Sequence, residues 1–196
     1  MNTFVRGYRI SRLTLARIKA WLYDRVIGIE ISESFSKMGV INSFYGRLEK
    51  MVQYLKPFSD DVFCDLGCGE GRVVFFMARQ KLKKIIGVEL DEGVYAVAYR
   101  NLHKVRKKKT PVEVLNIDAA DFDPKEGTIF YMFNPFGAGT LKRVLDNIRE
   151  SLAVNPRRIR IVYYGLRRDI LLDKQDWLVR EGKIENDTCL VWRNKK

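Results

Sequence analysis

The stretch Val62-Phe63-Cys64-Asp65-Leu66-Gly67-Cys68-Gly69-Glu70-Gly71-Arg72 decides the fold. A short apolar run, broken by one carboxylate, ends in three glycines at alternate positions. That is the pattern of a buried parallel strand turning into a helix, and helical spacing follows from Arg72 to Gln80. Open parallel sheets hold ligands beyond the carboxyl ends of their strands. Glycines at 67, 69 and 71 remove side chains so that a ligand can lie against the backbone, and the new helix offers N–H groups that lack partners of their own.

Strands and helices alternate outward from this junction. Lys84 to Glu89 reads as a strand, Glu92 to Arg106 as a helix, and Val112 to Ile117 as a strand. Ile129 to Phe133 is a fourth strand, Thr140 to Leu152 a helix and Ile159 to Tyr164 a fifth strand. After a short helix at Asp169 to Asp173, Trp177 to Lys183 and Thr188 to Trp192 form a hairpin around Glu185-Asn186-Asp187. This order specifies an α/β fold with a seven-stranded, mostly parallel sheet and an antiparallel ending.

Residues 1–57 precede that domain as a basic helical extension and lid, and 58–196 form the domain itself. Early in the chain, Arg6, Arg9, Arg12, Arg17, Lys19 and Arg25 face only one acid, Asp24. Ile10, Leu13, Ile18, Trp21, Leu22 and Val26 recur at helical spacing, which makes this a basic amphipathic helix. Its apolar stripe is expected to pack on the domain, with a membrane surface or an RNA backbone as alternatives. A second helical pattern, Ser43 to Leu55, is closed by Pro57.

A chain of 196 residues with 46% hydrophobic and 31% charged residues suits one folded domain. Cys64, Cys68 and Cys189 cannot all pair internally, which favours a reducing, cytoplasmic setting. His103 is the only histidine, so no metal site is expected. No apolar run approaches membrane-spanning length, and a soluble protein is expected. The net charge of +12 suits a polyanionic partner or simply a solvated basic surface. Lys104, Arg106, Lys107, Lys108 and Lys109 complement a helix carboxyl end as well as they would a nucleic acid.

The glycine spacing narrows the ligand. A dinucleotide site asks for Gly-x-Gly-x-x-Gly, but position 72 is arginine. Asp65, two residues before the first glycine, would repel a pyrophosphate and attract a cation. Glu89 and Asp118 end the next two strands at the same sheet edge, adding two more acids. This run closely resembles motif I of the class I S-adenosylmethionine-dependent methyltransferases. The resemblance implies their three-layer, Rossmann-like sandwich and S-adenosylmethionine as cofactor, held by Asp65, Gly67, Cys68, Gly69 and Gly71. It further implies that Glu89 accepts hydrogen bonds from the ribose hydroxyls, that Leu90 packs on the adenine, and that Asp118 and Ala119 lie near the adenine amino group.

In that family the end of the fourth strand faces the methyl group. Asn134-Pro135-Phe136 is similar to the Asp/Asn/Ser-Pro-Pro-aromatic run of members that act on planar nitrogen, but it lacks the second proline. The resemblance implies that Asn134 and a nearby main-chain carbonyl accept hydrogen bonds from an NH2 group while Phe136 covers its face. The alternative is that Asn134 caps a helix and Pro135 ends the strand. Tyr45 either touches the methionine end or the substrate from a lid, or packs on the core; Tyr164-Gly165 walls the pocket from the other side. The chain is also similar to small bacterial methyltransferases of uncertain substrate. Methylation of a nitrogen in a protein or nucleic acid is therefore expected, with a small-molecule acceptor as the alternative. A non-catalytic RNA- or membrane-binding module is a further reading, and a nicotinamide oxidoreductase is opposed by Asp65 and Arg72.

Overall fold

The computed structural model describes residues 12–32, 45–165, 169–184 and 189–195. Arg6, Arg9, Ile10, the 42–44 part of the expected lid and the 185–187 turn lie outside them.

Two helices, α1 (Arg12–Ile27) and α2 (Tyr45–Leu55), precede β1 (Val62–Leu66). All five β1 residues are buried, as a strand covered on both faces must be. Then follow α3 (Arg72–Met77), β2 (Lys84–Glu89), α4 (Glu92–Lys104), β3 (Val112–Asn116), a single 3-10 turn at Ala119–Asp121, β4 (Ile129–Phe133), α5 (Ala138–Val154) and β5 (Arg160–Tyr164). The chain ends in α6 (Asp169–Asp173), β6 (Leu178–Lys183) and β7 (Cys189–Asn194).

The strands form one sheet in the order β3-β2-β1-β4-β5-β7-β6. β1 to β5 are parallel, and β7 runs antiparallel between β5 and β6. Because side chains alternate along a strand, the sheet separates two cores. Phe63, Ile85, Tyr131 and Val162 pack with Leu48, Met51 and Phe75 on one face. Cys64, Phe130, Met132 and Ile161 pack with Leu141, Val144, Leu145 and Ile148 of α5 on the other. Helices thus cover both faces, giving the expected three layers.

Two expectations need correction. α4 stops at Lys104, and Val105 leaves the helix in an extended conformation. Arg106 to Lys109 therefore follow the helix and are exposed, yet Lys108 Nζ reaches back to donate to Leu102 O at 3.1 Å, so the run does serve the carboxyl end of α4. More consequentially, the stripe foreseen on α1 does not pack inward. Ala20, Asp24 and Ile27 are buried, whereas Ile18, Trp21, Leu22 and Val26 are exposed. The inward face instead follows polar pairing: the Asp24 carboxylate binds Arg72 at 2.8 Å, and Tyr23 stacks on Tyr45.

Candidate active site

β1 is the strand at which the sheet's order reverses, with β2 on one side and β4 on the other. Such a reversal leaves a crevice beyond the strand ends. The loops after β1 and β4 meet there. A Cβ on Gly67 would lie 2.4 Å from Cβ of Pro135, so glycine is required for their contact. Gly67, Gly69 and Gly71 also have φ of 85°, 58° and 90°, the left-handed region in which glycine is unstrained. Nothing lies within 4 Å of the Cβ position of Gly69, which therefore faces open space.

Most amides of this loop are already engaged. Gly67 N and Cys68 N donate to Val88 O, and Gly71 N donates to Cys68 O. Gly69 N donates to Glu89 Oε2 at 2.9 Å. The loop therefore contributes shape and acidity more than free donors. Cys68 is buried, and its Sγ lies 3.0 Å from the Cβ position of Gly87, so its side chain packs beneath the loop instead of facing a ligand.

Asp65 is the most telling residue. It is 1% exposed, and its Oδ2 has no hydrogen-bond partner. Burial, and then the nearby Glu89 charge, push its pKa well above the usual carboxylate range. A buried carboxylate oxygen without a donor is costly. It suits a ligand that brings a positive charge or an N–H group, and it opposes a diphosphate.

The other acids share the same edge, as the registers Asp65↔Gly87 and Glu89↔Asn116 require. Glu89 Oε1 accepts from Asp91 N at 3.0 Å, while Asn116 Nδ2 donates to the carbonyls of Glu89 and Leu90. These bonds fix the end of β2. Leu90 is 66% exposed, an apolar side chain held out at the rim of the crevice. Asp118 caps the 3-10 turn by accepting from Ala120 N at 2.9 Å, and Ala119 is buried behind it.

On the β4 side, Asn134 is exposed and has φ of 44°, a conformation that asparagine tolerates better than most residues. Its Oδ1 accepts from the Tyr163 hydroxyl at 3.2 Å. Gly165 lies behind it, since a Cβ there would fall 2.9 Å from Cβ of Asn134. α5 begins only at Ala138 with Gly137 as its cap residue, so Asn134 does not cap it. Phe136 is partly buried against the α5 core. Tyr163 was not foreseen as a site residue, although strand alternation contained the signal. Tyr163 and Tyr164 must point to opposite faces, and Tyr164 packs on Tyr131 and Phe133.

Tyr45 is placed in the core and not at the crevice. Its hydroxyl donates to Asp24, its ring centroid lies 3.9 Å from that of Tyr23 and 5.8 Å from that of Phe76, and it is 7% exposed. Both functions of the side chain are thus occupied, the hydroxyl by a hydrogen bond and the ring by packing. Tyr45→Phe should destabilise the fold by about 1–2 kcal/mol, the cost of leaving a buried acceptor short of a donor. Urea unfolding checks this, and an unchanged midpoint would deny the bond its structural weight.

A second tie, also unforeseen, straps the segment before residue 33 onto the loop. Glu70 Oε2 accepts from Ser32 N at 2.6 Å. Asn101 Nδ2 donates to the carbonyls of both Glu30 and Glu70. A groove of about 1280 Å³ lies elsewhere, at the amino ends of the parallel strands. Two of the arginines along it are spent on structure, Arg157 on the carbonyls of Pro124 and Gly127 and Arg160 on that of Leu55.

Residues 63–155 match the family described as Methyltransferase domain. A protein-lysine N-methyltransferase of Saccharolobus islandicus is 29% identical over 54% of this chain and 59% of its own length. A histone-lysine N-methyltransferase, H3 lysine-79 specific, of Dictyostelium discoideum is 33% identical over 41% of this chain but only 5% of its own. The chain therefore spans less than two thirds of either curated relative. An RNA methyltransferase from Salinibacter ruber, solved in complex with S-adenosyl-L-homocysteine, superimposes with a TM-score of 0.60 at 18% identity, covering 78% of this chain and 92% of that one. Sheet order, glycine loop and the match over residues 63–155 agree: the chain has the class I, Rossmann-like methyltransferase fold.

Proposed function

We propose that this chain transfers a methyl group from S-adenosylmethionine to a nitrogen of a protein or nucleic-acid acceptor. The observation that carries the cofactor is the buried, unpartnered Oδ2 of Asp65, beside Glu89 at the point where the sheet reverses. When bound, the cofactor supplies an electrophilic methyl group on a positively charged sulfur.

In this reading Asp65 and Glu89 give the crevice negative potential, and the glycines let the ligand approach the backbone. Leu90 offers an apolar face to the adenine, with Asp118 and Ala119 at its edge. Asn134 Oδ1 accepts a hydrogen bond from the attacking amine and aims its lone pair; holding reactants in line contributes much of the rate in such displacements. Pro135 fixes the turn against Gly67, and Phe136 covers the acceptor. The choice of a macromolecular acceptor rests on the net charge of +12 and on the lysine and RNA methyltransferases named above. Residues 1–57 act as an extension that frames the site, and 58–196 as the methyltransferase domain.

S-adenosylhomocysteine at about a hundred times its dissociation constant should raise the melting point by several degrees, and NAD should leave it unchanged. Stabilisation by NAD alone would overturn the reading. Transfer of a radiolabelled methyl group in a cell extract then identifies the acceptor. Label that survives nuclease but not protease marks protein, the reverse marks nucleic acid, and label confined to the acid-soluble fraction would replace both with a small molecule.

A further inference from the structure

The outward face of α1 has no role in the site. Leu15, Ile18, Leu22 and Val26 are 46%, 43%, 50% and 66% exposed. Their spacing of three, four and four residues sets them in one stripe. Trp21 is 48% exposed beside it, with the Arg25 guanidinium 4.6 Å from its ring centroid. Lys19 borders the stripe on one side and Arg25 on the other. The only acid in the helix, Asp24, is buried and paired with Arg72. Among the described residues of α1, every exposed charge is therefore positive.

We propose that this face docks α1 in the plane of an anionic lipid bilayer. The apolar stripe enters the acyl boundary while Lys19 and Arg25, which flank it, meet the lipid phosphates. An exposed apolar stripe flanked by cations suits that boundary because both kinds of side chain are rewarded there. Other occupants use only half of it. A nucleic acid would neutralise the cations and leave the stripe in water. A second copy of the helix would cover the stripe but set lysine and arginine against their own kind with no acid between them. The helix is already held by Tyr23, Asp24 and Ile27 on its inner side, so docking does not have to pay for folding it. Among the described residues no helix is long and apolar enough to cross a membrane, so this contact is peripheral.

The test is flotation of the full chain with vesicles of phosphatidylcholine alone or containing one-third phosphatidylglycerol. Binding should be at least about tenfold tighter to the anionic vesicles and should weaken as salt is raised. Replacing Leu15 and Leu22 together by glutamine, which preserves helix propensity, should weaken binding about tenfold or more, since each loses an apolar side chain from the boundary. Lys19→Glu with Arg25→Glu should remove the preference for anionic vesicles. An unchanged melting curve shows each variant to be folded. No vesicle binding, or undiminished binding by the glutamine variant, overturns the proposal. So does a dimer in sedimentation that this variant abolishes without any vesicle binding, or salt-sensitive RNA binding in its place.

Discussion

Asp65→Asn should bind S-adenosylhomocysteine about 10- to 100-fold more weakly, the worth of a charge-assisted hydrogen bond, and yet melt at a higher temperature without ligand. Both effects share one cause. The native carboxyl holds its proton to a higher pH than the same group in the unfolded chain, because burial and Glu89 disfavour its charge. As pH rises from the ordinary carboxylate range toward the elevated native value, the unfolded chain has released this proton while the folded chain retains it. Stability falls through that window, and the loss persists above it. Asparagine keeps the shape and removes the titration, so the gain in melting temperature should grow as pH rises through that window and vanish at acidic pH, below the ordinary carboxylate range. Melting curves across pH, paired with calorimetric titration of S-adenosylhomocysteine, separate the two effects. A variant that melts lower and binds equally well would make Asp65 a structural residue.

Asn134→Gly should reduce turnover about a hundredfold, the scale on which one positioned polar group acts in a transition state, with affinity for S-adenosylhomocysteine nearly unchanged. Glycine is the informative replacement because Asn134 has φ of 44°. Alanine would add backbone strain to the loss of the amide, whereas glycine accepts that conformation. Glycine also removes the Oδ1 to which the Tyr163 hydroxyl donates at 3.2 Å. Single-turnover methyl transfer isolates the chemical step from product release. An equal loss of cofactor affinity and turnover would return Asn134 to supporting the loop.

What was legible in the sequence follows from the range of the forces involved. β1, β2 and β4 are buried on both faces, so their apolar runs showed in the sequence with their observed ends. The glycine loop was legible because each φ near the left-handed region restricts the residue type locally. The α1 stripe misled because periodicity reveals an apolar face without saying what covers it. The face that packs was selected by Asp24, whose partners Tyr45 and Arg72 are 21 and 48 residues away. Tyr45 was ambiguous for the same reason: an aromatic at a helix start serves a lid or a core, and only its partner decides. Likewise, nothing within the loop announces that Glu70 receives the amide of Ser32, 38 residues upstream.

Arg72 begins α3 directly after the last loop glycine, and its side chain is only 10% exposed. The countercharge for that guanidinium comes from Asp24, which Tyr45 in turn steadies. Deleting the first helix would therefore not simply shorten the protein. It would leave a dry arginine without an anion at the hinge of the glycine turn, and water would have to flood the joint to relieve it. The amino-terminal helix and the cofactor mouth should open and close as one cooperative block in hydrogen exchange, so a protease nick in the former would register as a defect in the latter.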